Sequence, residues 1–186
     1  EKDCIIYPNC HIKGNSIIGE DCIIRENTTI EDSHIEDHVT IKSSTILSSK
    51  VGARTTIGPY AYLRPKSVLG EDVKIGEFVE GTNAERGNGS KASHLSYIGD
   101  AVVGKNVNIG CGVVFVNYDG KNKFKSIVED NAFIGSNSNL VAPVTVKEGG
   151  YIATGSTVTV DVPEGALCVA RAREVIKEGW RTKKGL

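Results

Sequence analysis

His94 is the residue of this chain best placed to do chemistry. It stands in the segment SKASHLSYIGD, three residues before Tyr97, and other polar groups follow it: Asn108, the run NYDGKNK from Asn117 to Lys123, and Ser136. An imidazole titrates near neutral pH, so it can take a proton from a bound nucleophile and pass it on. A lone histidine on a repetitive scaffold is more often a surface residue than a catalyst; the convergence of Tyr97, Asn108, the NYDGKNK run and Ser136 puts catalysis on an equal footing with that reading. His34 and His38 are spaced four apart, which would present two ligands to a metal on a helix. They fall among repeats, where that spacing has no special geometry, so both read as surface positions and no metal is expected.

These side chains must be positioned by an unusual periodicity. Aliphatic residues recur every six positions, as Ile6, Ile12, Ile18, Ile24 and Ile30, and again as Val128, Ile134, Leu140, Val146, Ile152 and Val158. Nine aliphatic–glycine pairs, among them Ile57-Gly58, Ile75-Gly76 and Ile109-Gly110, fall on the same grid. A period of six fits neither an amphipathic helix nor simple strand alternation. It is the mark of a hexapeptide β-helix, an all-β solenoid wound as a triangular prism. Three hexapeptides make a coil of about 18 residues, and about nine coils at a strand spacing of about 4.8 Å give a stack roughly 40 Å long. The 21 glycines are expected at corners, where steric freedom is needed. A narrow interior explains 6% aromatic residues beside 39% apolar ones.

The grid slips by one residue near Ile35 and again around Ile46 and Val51, which reads as small bulges. Two stretches break it. Residues 81–93 read as an irregular coil or small loop, and the segment around 115–127 reads as a protruding loop, the usual carrier of function on a repeat scaffold. The prism is expected to span 1–160, with 161–186 as a C-terminal arm whose residues 170–180 could form a short helix. The chain begins in mid-rhythm, which reads as a fragment lacking an N-terminal neighbour. A net charge of −1 argues against nucleic-acid binding, and no apolar run is long enough for membrane insertion. Five cysteines without CxxC spacing read as reduced thiols in a cytoplasmic protein, with Cys10 and Cys22 packed in or beside the prism.

The segments IGPYAYLRP, SKASHLSYIGDA, GKNVNIGCG, VNYDGKNK, IGSNSNLVAPVTV and GSTVTVDVP occur in this order. Together they make the chain similar to the C-terminal acetyltransferase domain of bacterial bifunctional N-acetylglucosamine-1-phosphate uridyltransferase / glucosamine-1-phosphate acetyltransferase. The likeness covers essentially the whole chain and is strongest from Ile57 to Arg171. It implies a left-handed parallel β-helix, a homotrimer, and acetyl-CoA as donor for N-acetylation of glucosamine 1-phosphate, on the route to UDP-N-acetylglucosamine for cell-wall synthesis. His94 would be the general base. Glu80 would hold the amino group, and Arg64 and Lys123 the phosphate. Tyr97, Asn108, Asn117 and Tyr118 would contact the sugar. The backbone N–H of Cys111 and the region of Ser136 would lie by the thioester, and Thr154 and Arg171 would contact acetyl-CoA. The uridyltransferase domain of such proteins does not fall within this sequence, so acetylation without uridylylation is expected.

One position departs from that pattern. Thr82 stands where the family has a lysine that helps bind the sugar phosphate, and Arg86 is a cation that could compensate. Loss of one charge-assisted contact would weaken binding by about 1.5–3 kcal/mol. Another amino-sugar acceptor is the alternative reading. Two further classes share the prism: a zinc-dependent γ-type carbonic anhydrase, which needs three histidine ligands where only His94 falls suitably, and a non-catalytic scaffold, which has no use for the NYDGKNK insertion.

Overall fold

The computed structural model describes residues 1–185, and among them the chain forms a left-handed parallel β-helix with ten rungs on its first face. Those rungs run from Ile5–Ile6 to Leu167–Cys168, each pairing in parallel with the next. Partners on this face are 16 to 18 residues apart, as in Ile5 on Ile23, Ile23 on Thr40 and Thr40 on Thr56. The exception is the 25-residue step from Asn108 to Phe133, which contains the NYDGKNK segment. Shorter steps absorb the slips near Ile35, Ile46 and Val51, because a side of the prism can lose one residue without losing register: Ile30 still meets Ile46, and Ile35 still meets Val51.

Each face contributes one inward row. Ile24, Ile41, Ile57, Ile75, Ala92, Ile109, Ile134 and Ile152 line the first, all at most 4% exposed. Fully burying one such aliphatic side chain is worth about 1.5–3 kcal/mol, so the rows are the main source of cohesion. Cys22 is buried, and Cys4 and Cys10 are half-buried against the core as free thiols.

The corners are built differently from the expectation that glycine supplies their freedom. Most carry a non-glycine residue in the left-handed region, such as Asp21 (φ 53°), Asn27 (φ 59°), Asp72 (φ 57°) and Asn106 (φ 54°). Aspartate and asparagine tolerate that region better than other side chains do. The glycines that follow aliphatic residues serve closeness instead. A Cβ on Gly52 would sit 2.5 Å from the carbonyl carbon of Gly70, and one on Gly110 would sit 2.6 Å from the Ser136 nitrogen. The coils approach each other too tightly there for any side chain.

Residues 81–93 are not an irregular loop. Two seven-residue strands, Glu80–Arg86 and Tyr97–Val103, run in register around the corner between the second and third faces, with Thr82 on Gly99 and Arg86 on Val103. This continuity joins those two faces into one 15-stranded sheet. The polar sequence misleads because Arg86 occupies an inward position: it is 3% exposed, among apolar neighbours. The coil continues past Val160, with Val162 buried and Leu167–Cys168 pairing on Tyr151–Ile152. Beyond it the chain runs exposed to a single helical turn, Trp180–Lys183, shorter and later than the helix expected at 170–180.

Candidate active site

The sheet register assembles the candidate residues around one edge of the prism. His94 ends a first-face strand, Lys91–His94, and Tyr97 opens the second-face strand that follows. Leu95, in the left-handed region at φ 41°, turns the corner between them. The chemistry of the two faces therefore meets at this edge.

Along the first-face side runs a column. Ala92 pairs with Ile109, Ile109 with Ile134, and Ile134 with Ile152. Two residues further on, the same register aligns His94, Cys111, Ser136 and Thr154 in successive coils. Cys111 and Thr154 are exposed and Ser136 is half-buried. Among the described residues, the backbone N–H groups of Cys111, Ser136 and Thr154 donate to no protein acceptor, while their neighbours Gly110, Gly135 and Gly155 do. Gly110 and Gly135 lie directly beneath the N–H groups of Ser136 and Thr154 and leave them uncovered. Arg171 crosses at the end of the column, its Cδ 3.7 Å from where a Cβ on Gly155 would be. The column is thus a strip of open amide donors running from an imidazole to a guanidinium, suited to an extended ligand with a carbonyl oxygen near His94 and negative charge further along.

On the second-face side, Tyr62, Glu80 and Tyr97 are register neighbours. The Arg64 guanidinium lies 2.8 Å from Glu80 Oε1, and that contact strengthens its hold on its proton. The base of the NYDGKNK loop closes over this face. Asn117 is 7% exposed and donates from Nδ2 to the Tyr97 hydroxyl at 3.3 Å and to Asp100 Oδ2 at 2.5 Å. Asp100 also accepts from Asn83 Nδ2, and Lys123 Nζ stands 3.9 Å from it. In the loop itself Tyr118 and Lys123 form an antiparallel bridge, and the Tyr118 hydroxyl donates to the Gly120 carbonyl at 2.6 Å. The Asp119 carboxylate accepts from the backbone N–H groups of Lys121 and Asn122; those of Asn122 and then Lys121 hold it below the usual carboxylate range.

Arg64, Glu80, Tyr97, Asn117 and Lys123 therefore gather on one face beside the His94 column. Tyr118 lies further out on the loop, and its ring is exposed. Asn108 is not brought to this group: it sits on the first face between Lys91 and Phe133. Arg86 cannot serve as the substitute cation, because its guanidinium is turned into the prism interior. Thr82 is half-exposed, two residues along the strand from Glu80, with a short neutral side chain. Two acids were missed. Glu77 lies 2.9 Å from His94 Nδ1, and Asp100 ties the loop to the prism. Each is the spatial neighbour of a candidate residue a coil or so away in sequence, and a count of 17 from His94 would have found Glu77. His34 and His38 are exposed, and no group of metal-ligating side chains occurs among the described residues.

Known proteins share parts of this sequence and its fold. The family described as the GMPPB C-terminal domain matches residues 1–84. The bifunctional protein GlmU of Clostridioides difficile is 71% identical over 98% of the chain, and that of Clostridium acetobutylicum is 55% identical over all of it. The chain spans about 40% of the length of these curated relatives. Among solved structures, a UDP-N-acetylglucosamine acyltransferase from Campylobacter jejuni superposes with a TM-score of 0.69 at 22% identity, covering 89% of this chain and 71% of that one, a likeness of fold. With near-complete coverage at such identity, the chain belongs to the GlmU family and corresponds to the C-terminal domain of those bifunctional proteins.

Proposed function

We propose that this chain is an acetyl-CoA-dependent acyltransferase that N-acetylates glucosamine 1-phosphate. The observation that supports this best is the edge itself, where a column of open amide donors begins at an imidazole and flanks a face carrying Arg64, Glu80, Tyr97, Asn117 and Lys123. Arg64 and Lys123 supply cations for the sugar phosphate, and Glu80 supplies a carboxylate for the amino group. Tyr97 and Asn117 supply hydroxyl and amide groups to the sugar. Thr154 and Arg171, at the far end of the column, receive the acetyl-CoA.

An amine attacks a thioester only through its free lone pair. The substrate nitrogen attacks the thioester carbonyl carbon, and His94 Nε2 takes the proton that the nitrogen sheds. The oxygen gains negative charge as the N–C bond forms, and the backbone N–H of Cys111 or Ser136 donates to it. The C–S bond then breaks, the electron pair leaves with sulfur, and His94 returns the proton to give the amide and free coenzyme thiol. Nothing in these steps requires a covalent enzyme intermediate, so Cys111 acts through its backbone N–H and its thiol takes no part.

The chain works as a homotrimer in this reading. Tyr60, Phe78 and Leu95 form an exposed apolar ridge along the same edge, the first two rings stacked at 5.6 Å, and a threefold neighbour would cover it and complete the cleft. Asn108 would reach a site across that boundary. No helix among the described residues is long and apolar enough to cross a membrane. A second reading, a different amino-sugar acceptor, draws on Thr82, which leaves the phosphate side one cation short. Thiol release from acetyl-CoA with glucosamine 1-phosphate tests the assignment. Transfer should fall by a factor of about 10²–10⁴ in His94→Ala; transfer at the parental rate in that variant overturns it, and turnover with another amino sugar alone selects the second reading.

A further inference from the structure

We propose that Glu77 is a positioning residue for His94, holding the ring with its proton on Nδ1 so that Nε2 is the basic nitrogen. The proposal deepens the acetyltransferase reading and rests on it. Glu77 and His94 are register partners at the ends of adjacent first-face strands, Lys74–Glu77 and Lys91–His94. Their side chains meet at 2.9 Å between Oε1 and Nδ1. Nε2, on the other side of the ring, has no hydrogen-bond partner among the described residues.

Which imidazole nitrogen carries the proton is set by what the other one meets. A carboxylate at Nδ1 is an acceptor and never a donor while ionised, so it selects the Nδ1–H form and leaves the Nε2 lone pair for the substrate. The Glu77 carboxyl is suited to that duty: its own backbone N–H, followed by the His94 ring, holds it below the usual carboxylate range, so it stays ionised throughout the neutral region. The other groups around the pair do not compete. Lys74, on the strand of Glu77, adds a favourable charge to the carboxylate, Lys91 lies on the strand of His94 itself, and the next coil presents the Cys111 thiol. On the coil beneath, the register places Pro59, which has no side-chain polar group.

Both side chains are substantially exposed, 56% for His94 and 43% for Glu77. Water and salt weaken a pair of this exposure, so its effect on rate is smaller than that of a buried acid behind a catalytic histidine. The same exposure makes substitution at Glu77 harmless to the fold.

The test uses the intact chain with Glu77→Ala and Glu77→Gln. Glutamine keeps an acceptor at the same reach without the charge, whereas alanine removes both. In Glu77→Ala, kcat for acetyl transfer should fall about tenfold with KM for acetyl-CoA and for glucosamine 1-phosphate within twofold of the parent. Glu77→Gln should recover part of the loss. Nitrogen-15 NMR of the imidazoles should show His94 in the Nδ1–H form in the parent and in Glu77→Gln, and a shift toward Nε2–H in Glu77→Ala. An unchanged kcat in Glu77→Ala, or an unchanged His94 tautomer there, overturns the proposal. The spectra need no turnover: if the parent transfers no acetyl group, the functional reading fails while the tautomer still decides whether Glu77 sets the ring.

Discussion

Thr82 is where a single side chain has most leverage over affinity. It lies on the strand that begins with Glu80, whose partner Arg64 is the cation on this face nearest to hand, and it brings neither charge nor length to the phosphate. Lysine there would add a charge-assisted contact worth about 1.5–3 kcal/mol. Thr82→Lys should therefore lower KM for glucosamine 1-phosphate by about tenfold to a hundredfold with little change in kcat. Steady-state kinetics with acetyl-CoA saturating check this, and an unaltered KM would show that the phosphate is held elsewhere. Asp100 works on the opposite principle. Asn83, Asn117 and Lys123 all converge on its carboxylate, so it sets the posture of the loop.

At the scale of the element, the coil containing Glu80–Arg86 is, among the described residues, the one place where the apolar rows fail. Gly81 stands where the second-face row has Leu63 below and Ile98 above, and Arg86 where the third-face row has Leu69 and Val103. The two departures compensate: a Cβ on Gly81 would lie 2.6 Å from Arg86 Nη2, so the missing side chain is the space the guanidinium fills. Its three nitrogens find no hydrogen-bond partner among the described residues, and burial pushes the group down to about 10. That depression corresponds to about 3 kcal/mol lost from folding at neutral pH. The sign follows from linkage. Below pH 10 both folded and unfolded chains carry the proton and the whole cost is present; as pH rises through 10 the folded chain sheds it first and the cost shrinks. The double replacement Gly81→Ile with Arg86→Ile should raise Tm by about 5–10 °C at pH 7. Gly81→Ala alone should lower it, and the pair should be non-additive by calorimetry. A double variant that melts no higher than the parent would contradict the account.

The same coil shows what the sequence could and could not reveal. Val128, Ile134, Leu140, Val146 and Ile152 announce the prism because successive inward positions recur at six. GTNAERGN hides its regularity, because the inward positions hold Gly81 and Arg86, which no hydrophobic pattern counts. His94, Tyr97 and the NYDGKNK run were legible because unusual polar residues cluster there. Glu77 and Asp100 were not, because a partner one coil away leaves no local trace. The corner role expected of glycine holds at some turns, such as Gly89 and Gly112, but non-glycine residues, Asp and Asn foremost, take most of them, and glycine is also needed where Gly52 and Gly110 touch the next backbone.

At the scale of the whole molecule, the proposed site is an edge rather than a pocket, and an edge encloses nothing until another copy faces it. Phe78, 59% exposed and stacked on Tyr60, stands in the middle of the ridge that would be covered. Phe78→Glu should place unpaired charges in that contact, shift the chain from the proposed trimer to monomer in sedimentation, and lower acetyl transfer by at least tenfold while the β-sheet circular dichroism is kept. A monomeric variant with full activity would show that a single edge suffices.

The even length of the coils has a mechanical meaning. Pulled apart by its two termini, a prism in which each rung is held by the next would give way one coil at a time. Each release would free 16 to 18 residues, an extension of about 60 Å at full stretch. One release alone would be longer, about 85 Å, when the 25 residues between Asn108 and Phe133 come free. That long step would mark, within an otherwise uniform ruler, the position of the loop that closes over Tyr97.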